Sequence, residues 1–172
     1  MKKIFLILST VALMFSTQTT TAQDNSMDIV DIAVSVDDFS TLVSALKAAD
    51  LVTALQGDGP FTVFAPVNAG FAKIDTNTLN SLLAPENKEK LSAILTYHVV
   101  VGKVDAAAVG AALEAGNGKA ELTTLNGATL TAVAKDGGIY LMDQSGNYSK
   151  IAKTDVMASN GVIHIIEDVV MP

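Results

Sequence analysis

The chain has 172 residues, with eleven lysines against eighteen acidic residues and no cysteine or tryptophan; arginine is absent too. A formal charge of −7 with lysine as the only cation argues against nucleic acid and anionic lipid surfaces, whose recognition leans on a basic face and, for nucleic acid, on arginine. Without cysteine no disulfide can staple the fold, so burial of a core must hold it.

Met1-Lys2-Lys3 is a short basic start, followed by the apolar run Ile4–Phe15 and by small residues at Thr20-Thr21-Ala22. This pattern predicts a secretory signal peptide, residues 1–22, removed after Ala22. The run is 12 residues long, too short to cross a bilayer, so no membrane span is expected after cleavage. The expected mature chain carries nine lysines and eighteen acids, a formal charge of −9. Residues 23–27 read as a flexible leader and 28–172 as a single domain with a real core. The expected location is secreted, extracellular or at the cell surface, with the periplasm as an alternative.

Ile29, Val30, Ile32, Ala33 and Val36 recur at helical spacing, and Asp37-Asp38 is placed to cap a second helix whose face is Phe39, Leu42, Val43, Leu46 and Ala49. Leu51, Val52 and Leu55 continue as a short helix that Gly57-Asp58-Gly59-Pro60 ends. Phe61–Ala65 reads as the first strand, stopped by Pro66. A loop and helical turn over Asn68–Ile74 drops Phe71 into the core. Leu79, Leu82 and Leu83 mark a short helix, and Glu86–Thr96 a longer one with a solvated outer face of Glu86, Lys88, Glu89 and Lys90.

Tyr97–Val101 turns into a second strand. Asp105 is positioned to cap an alanine-rich helix running to about Glu114. The period then becomes two: Glu121–Leu125, Thr129–Ala134 and Ile139–Met142, separated by Asn126-Gly127 and Asp136-Gly137-Gly138, predict a hairpin meander. After a turn over Asp143–Asn147 comes a strand over Lys150–Met157. Asn160-Gly161 then introduces Val162-Ile163-His164-Ile165-Ile166, apolar on both faces and therefore a central strand covered from both sides. Helices gather in the first half and strands in the second, which predicts an α+β domain.

Three stretches together resemble the fasciclin domain family. Phe61-Thr62-Val63-Phe64-Ala65-Pro66 with Asn68 and Phe71 resembles its first signature box. Tyr97-His98-Val99-Val100 resembles its tyrosine-histidine motif. Asn160-Gly161-Val162-Ile163-His164 and the residues that follow resemble its second box. The resemblance implies a β-wedge of about seven strands packed with several short helices, the two boxes running as neighbouring core strands. It also implies a non-catalytic secreted or cell-surface module of cell-cell or cell-matrix adhesion, without a cofactor. Its partner would be a cell-surface or matrix protein or polysaccharide, or a second copy through self-association. The family's adhesive positions match Tyr97, His98, Asp155 and Val156. The first box departs from the family at Val67-Asn68-Ala69-Gly70-Phe71, which loses an acid. The residues flanking Asp155 also differ from the animal adhesive sequence, so integrin-type binding does not carry over.

The residues alone offer little chemistry. His98 and His164 are the only histidines, too few for a zinc site without other ligands, and they read as rings that bond backbone and fix packing. No nucleophile motif or phosphate loop is present. Asp143-X-Ser145-Gly146-Asn147 resembles a calcium loop only weakly, its acids too few. Asn147-Tyr148-Ser149 is a formal glycosylation sequon on an expected loop. Met142, Met157 and Met171 read as core filler, and Tyr148 as the exposed tyrosine suited to stacking on a sugar or partner. The alternative to adhesion is a soluble exported binding protein for a small molecule or saccharide.

Overall fold

The protein is described from a computed structural model over residues 26–172. The expected signal peptide and most of the leader lie outside the described residues. α1 (Ile29–Ser35) starts from Asp28, whose carboxylate accepts the Asp31 amide at 2.8 Å while Asp31 reaches back to the Asp28 amide, a reciprocal cap. A 3₁₀ turn over Asp37–Phe39 leads into α2 (Ser40–Ala48), and α3 (Val52–Leu55) follows. Next come β1 (Phe61–Pro66), α4 (Asn68–Ala72), α5 (Thr76–Leu83), α6 (Lys88–Tyr97) and β2 (Val99–Val101). α7 (Ala106–Ala115) precedes β3 (Lys119–Thr123), β4 (Thr129–Lys135), β5 (Gly138–Met142), β6 (Tyr148–Ala158) and β7 (Gly161–Ile166).

The strands lie in the order β2-β1-β7-β6-β5-β4-β3. All neighbours are antiparallel except β1 and β7, the two signature boxes, which run parallel from Phe61 beside Gly161 to Pro66 beside Ile166. Beyond β3 the chain swings back to the other edge. Thr124 bridges Val100, and the Leu125 amide donates to Val99 O at 2.6 Å, so the sheet is a nearly closed wedge. This return explains why β3 ends at Thr123 instead of reaching Leu125 as expected.

The central strands separate two apolar cores. Val63, Ala65 and Ile163 face the helices, packing with Phe39, Leu42, Leu46, Leu91 and Leu95. Phe64 and Ile166 point into the wedge, where they meet Leu130, Leu141, Ile151 and, from α7, Val109 and Leu113. The doubly apolar pattern of Val162–Ile166 is the consequence of lying between them. Phe71 is buried, as expected, and Asp105 caps α7 through the Ala108 amide at 2.9 Å. Two further expectations fail. Asp37 and Asp38 make no side-chain cap; the start of α2 is held by Asn68, whose amide oxygen accepts the Thr41 amide at 3.0 Å and whose nitrogen donates to Asp37 O and Ser40 Oγ at 2.9 Å. Met157 is not core filler but 39% exposed, near the end of β6 where it pairs with Val162.

Asn160 is the counterpart of Asn68 in the second box. Its oxygen accepts the Ile29 amide at 3.0 Å, and its nitrogen donates to Leu55 O at 2.7 Å and Gly57 O at 3.2 Å. One side chain thus joins α1, the end of α3 and the entry to β7. Gly161 beside it has no room for a side chain: a Cβ would lie 2.0 Å from Phe61 O. We expect Asn160→Ala to lower the unfolding free energy by about 2–4 kcal/mol, since it strands the Ile29 amide and the Leu55 carbonyl, whereas Gly57 O keeps the Gly59 amide. Urea denaturation measures this, and an unchanged midpoint would show that the clamp carries no stability.

Candidate functional site

Tyr97 and His98 close α6, and both are enclosed. The Tyr97 ring is fully buried in the wedge, and its hydroxyl donates to Thr129 O at 3.1 Å. Burial, and then the Asp143 carboxylate, push the phenol pKa up, so it remains a donor. His98 is 2% exposed. Its Nδ1–H donates to Ile94 O at 2.8 Å, one turn back, so Nε2 carries the lone pair that accepts the Val170 amide at 3.2 Å. The ring ties the end of α6 to the C-terminal tail.

Asp155 and Val156 lie where β6 is irregular, with register shifts between Ile151 and Lys153 and between Lys153 and Val156. Asp155 adopts a left-handed backbone, φ +59°, and is exposed. Its Oδ1 accepts the Ala106 amide at 2.8 Å, so two carboxylates, Asp105 and Asp155, share the amides at the start of α7. Behind it, the Asp155 amide faces His164 Nδ1 at 3.4 Å, while His164 Nε2–H donates to Val104 O at 2.7 Å. The His164 ring stacks on Phe64, centroids 5.4 Å apart. Val156 is half-buried against the helical core. Of the four positions, therefore, only Asp155 presents a charged group to solvent.

The turn over Asp143–Asn147 is built differently from a calcium loop. The buried Asp143 carboxylate accepts the Ser145 and Asn147 amides at 2.9 Å, the Asn147 side chain at 3.1 Å and the Met171 amide at 3.4 Å. Its oxygens are occupied by the protein itself. The sequon is likewise engaged: Ser149 is buried, donating to Asp168 O at 2.8 Å and accepting the Asp168 amide at 2.9 Å. Only the calcium-like spacing hinted at this anchor, and nothing local pointed to the bond between Ser149 and Asp168. Among the described residues no three His, Asp or Glu side chains converge as a metal ligand set. Beside the turn runs a groove of about 630 Å³ with Lys73, Asp168 and Tyr148 in its walls, Lys73 and Asp168 forming an ion pair.

Burial lowers the His98 pKa from 6.5 to about 4, against a smaller upward effect of the Ile94 bond. Folding thus favours the neutral ring, and its contribution is complete above pH 6.5 and lost as pH falls through 4. Between pH 7 and pH 5 the protein should lose about 2 kcal/mol of stability from this group alone. His98→Gln should be less stable at pH 7 by about 1–3 kcal/mol and lose most of that pH dependence. Urea denaturation at the two pH values reads both effects, and parallel pH dependence in the variant would refute the assignment.

The fasciclin domain family matches residues 37–172. Over 151 residues the chain is 49% identical to Protein sll1483 of Synechocystis sp., an alignment that covers 88% of this chain and 77% of that one. It is 36% identical over 152 residues to the transforming growth factor-beta-induced protein ig-h3 of Sus scrofa, covering 88% of this chain and 20% of that protein. Among solved structures, the FAS1 domain pair from the insect cell adhesion molecule Fasciclin I has the same fold, with a TM-score of 0.52 and 21% identity over 74% of this chain and 40% of that chain. With its two boxes paired as central strands and the family match spanning residues 37–172, the chain belongs to the fasciclin domain family.

Proposed function

We propose that the protein is an exported, non-catalytic module that holds cells to one another or to their matrix. The observation that carries this reading is Asp155. It is an exposed carboxylate on an irregular strand, held by Ala106 in front and His164 behind. A residue so fixed meets a partner with little ordering cost, which favours recognition. Kinship with a family that includes an insect cell adhesion molecule supports the same reading. Both histidine rings spend their nitrogens on backbone, so neither supplies a base to a substrate. A single domain offers few contacts, so adhesion would draw on many copies or on self-association.

The groove of about 630 Å³ beside Tyr148 favours a second reading, a soluble carrier of a small molecule or saccharide. The two separate in one experiment. The purified protein is coupled densely to beads and offered to the producing cells and to their extracted matrix. Asp155→Asn is the control variant, because asparagine tolerates the left-handed backbone and can still accept the Ala106 amide while losing the charge. Capture that falls about tenfold or more in the variant is the expected result. Capture untouched by the variant would remove Asp155 from the contact, and no capture at all would favour the carrier.

A further inference from the structure

We propose that the outer face of β3–β6, opposite the wedge core, binds an acidic polysaccharide. This names a partner class for the adhesive reading and rests on that reading only for how the protein meets a matrix. The inward residues of these strands, Ala120, Leu130, Leu141 and Ile151 among them, are in the wedge core. Their alternates point the other way. Register aligns Lys119 with Val133, Val133 with Tyr140, and Tyr140 with Lys150, so these four side chains form one row across four strands. Val133 is only 9% exposed yet belongs to neither core, so what shields it is this face. The lysine stems beside an apolar centre keep their ammonium groups in water, and Lys119 and Lys150 are both exposed.

The neighbouring rows add a second aromatic and a third cation. Tyr148 is 44% exposed, and Lys135 Nζ lies 4.9 Å from its ring centroid. Tyrosine faces beside ammonium groups match a sugar ring that bears a carboxylate: the ring's C–H face stacks, and the acid meets the lysine. The face holds two acids, Glu121 in the Tyr148 row and Asp136 at the turn, 4.0 Å from Lys135. Three of the nine lysines after residue 22 are thus collected on one sheet face of a strongly acidic chain.

Spacing decides between a small anion and a polymer. Lys119 and Lys150 stand three strand separations apart, about 14 Å, too far for one carboxylate to bridge. A chain with an acid on every sugar or two spans the row. Nucleic acid carries one charge per ~1.7 Å of duplex and is bound chiefly by dense basic surfaces, which this face is not. Repulsion from the rest of the acidic surface is screened beyond about 10 Å at 0.1 M salt.

The test uses purified protein on immobilised alginate, with neutral dextran, poly-L-glutamate and single-stranded DNA as parallel surfaces. The expected result is retention on alginate that vanishes by about 0.5 M salt. Lys119→Gln/Lys150→Gln should weaken it by about tenfold or more, whereas Lys47→Gln/Lys90→Gln on the helical side should not. Tyr148→Ser should weaken it as well, and matching melting curves confirm intact folds. Absence of retention, equal retention on dextran, tighter binding to poly-L-glutamate or DNA, or equal losses in the two lysine pairs would each overturn the proposal. Failure here with intact, Asp155-dependent capture by cells would leave adhesion standing and remove only this surface.

Discussion

The parallel pairing of β1 with β7 is the constraint on which the rest of the structure depends. The two strands are about a hundred residues apart in sequence, and each is apolar on both faces. Side by side they become the wall between the helical core and the wedge core, so both cores exist only once they have met. Their flanking polar residues then become attachment points. Asn160 takes the start of α1, Asn68 the start of α2, and the Thr62 hydroxyl holds Gly102 O and the Val104 amide at 2.7 and 2.8 Å. Parallel strands of such separation pair slowly and late in folding, because loop closure precedes the gain from contact.

The histidines show how polar groups live inside such a wall. Each ring donates from one nitrogen to a carbonyl and accepts an amide on the other: Ile94 and Val170 for His98, Val104 and Asp155 for His164. A neutral imidazole is the side chain that offers one donor and one acceptor on opposite sides of a flat, stackable ring. Each joins elements that backbone hydrogen bonding leaves apart. With the buried side chains so fully satisfied, the charged groups left facing water lie on the surface, among them Asp155 at the irregularity of β6 and Lys119 and Lys150 on the outer sheet face.

Much of the fold was legible because it rests on local signals. The β-branched runs marked the central strands, Asn126-Gly127 and Asp136-Gly137 marked the hairpin turns, and Asp105 marked the start of α7. The family boxes supplied the pairing that local signals could not. The candidate site was legible only as positions. Nothing around Asp155 announces the left-handed backbone or the register shifts, since a bulge is set by how two strands meet. Nor does any pattern near Ser149 point to Asp168, because a bond across nineteen residues leaves no periodicity.

By itself the sequence determined the class of fold, the order of its elements, the central place of Asn160–Ile166 and the acidic, cysteine-free character of the chain. Periodicity, turn residues and charge act over a few neighbours and need no partner to be read. Only the tertiary structure decided which polar residues are inside and which face water: Tyr97 and His98 enclosed, Asp155 displayed, and Lys119, Tyr140 and Lys150 aligned. Exposure and alignment depend on what packs opposite, and strands brought together from distant parts of the chain settle that only when the wedge closes.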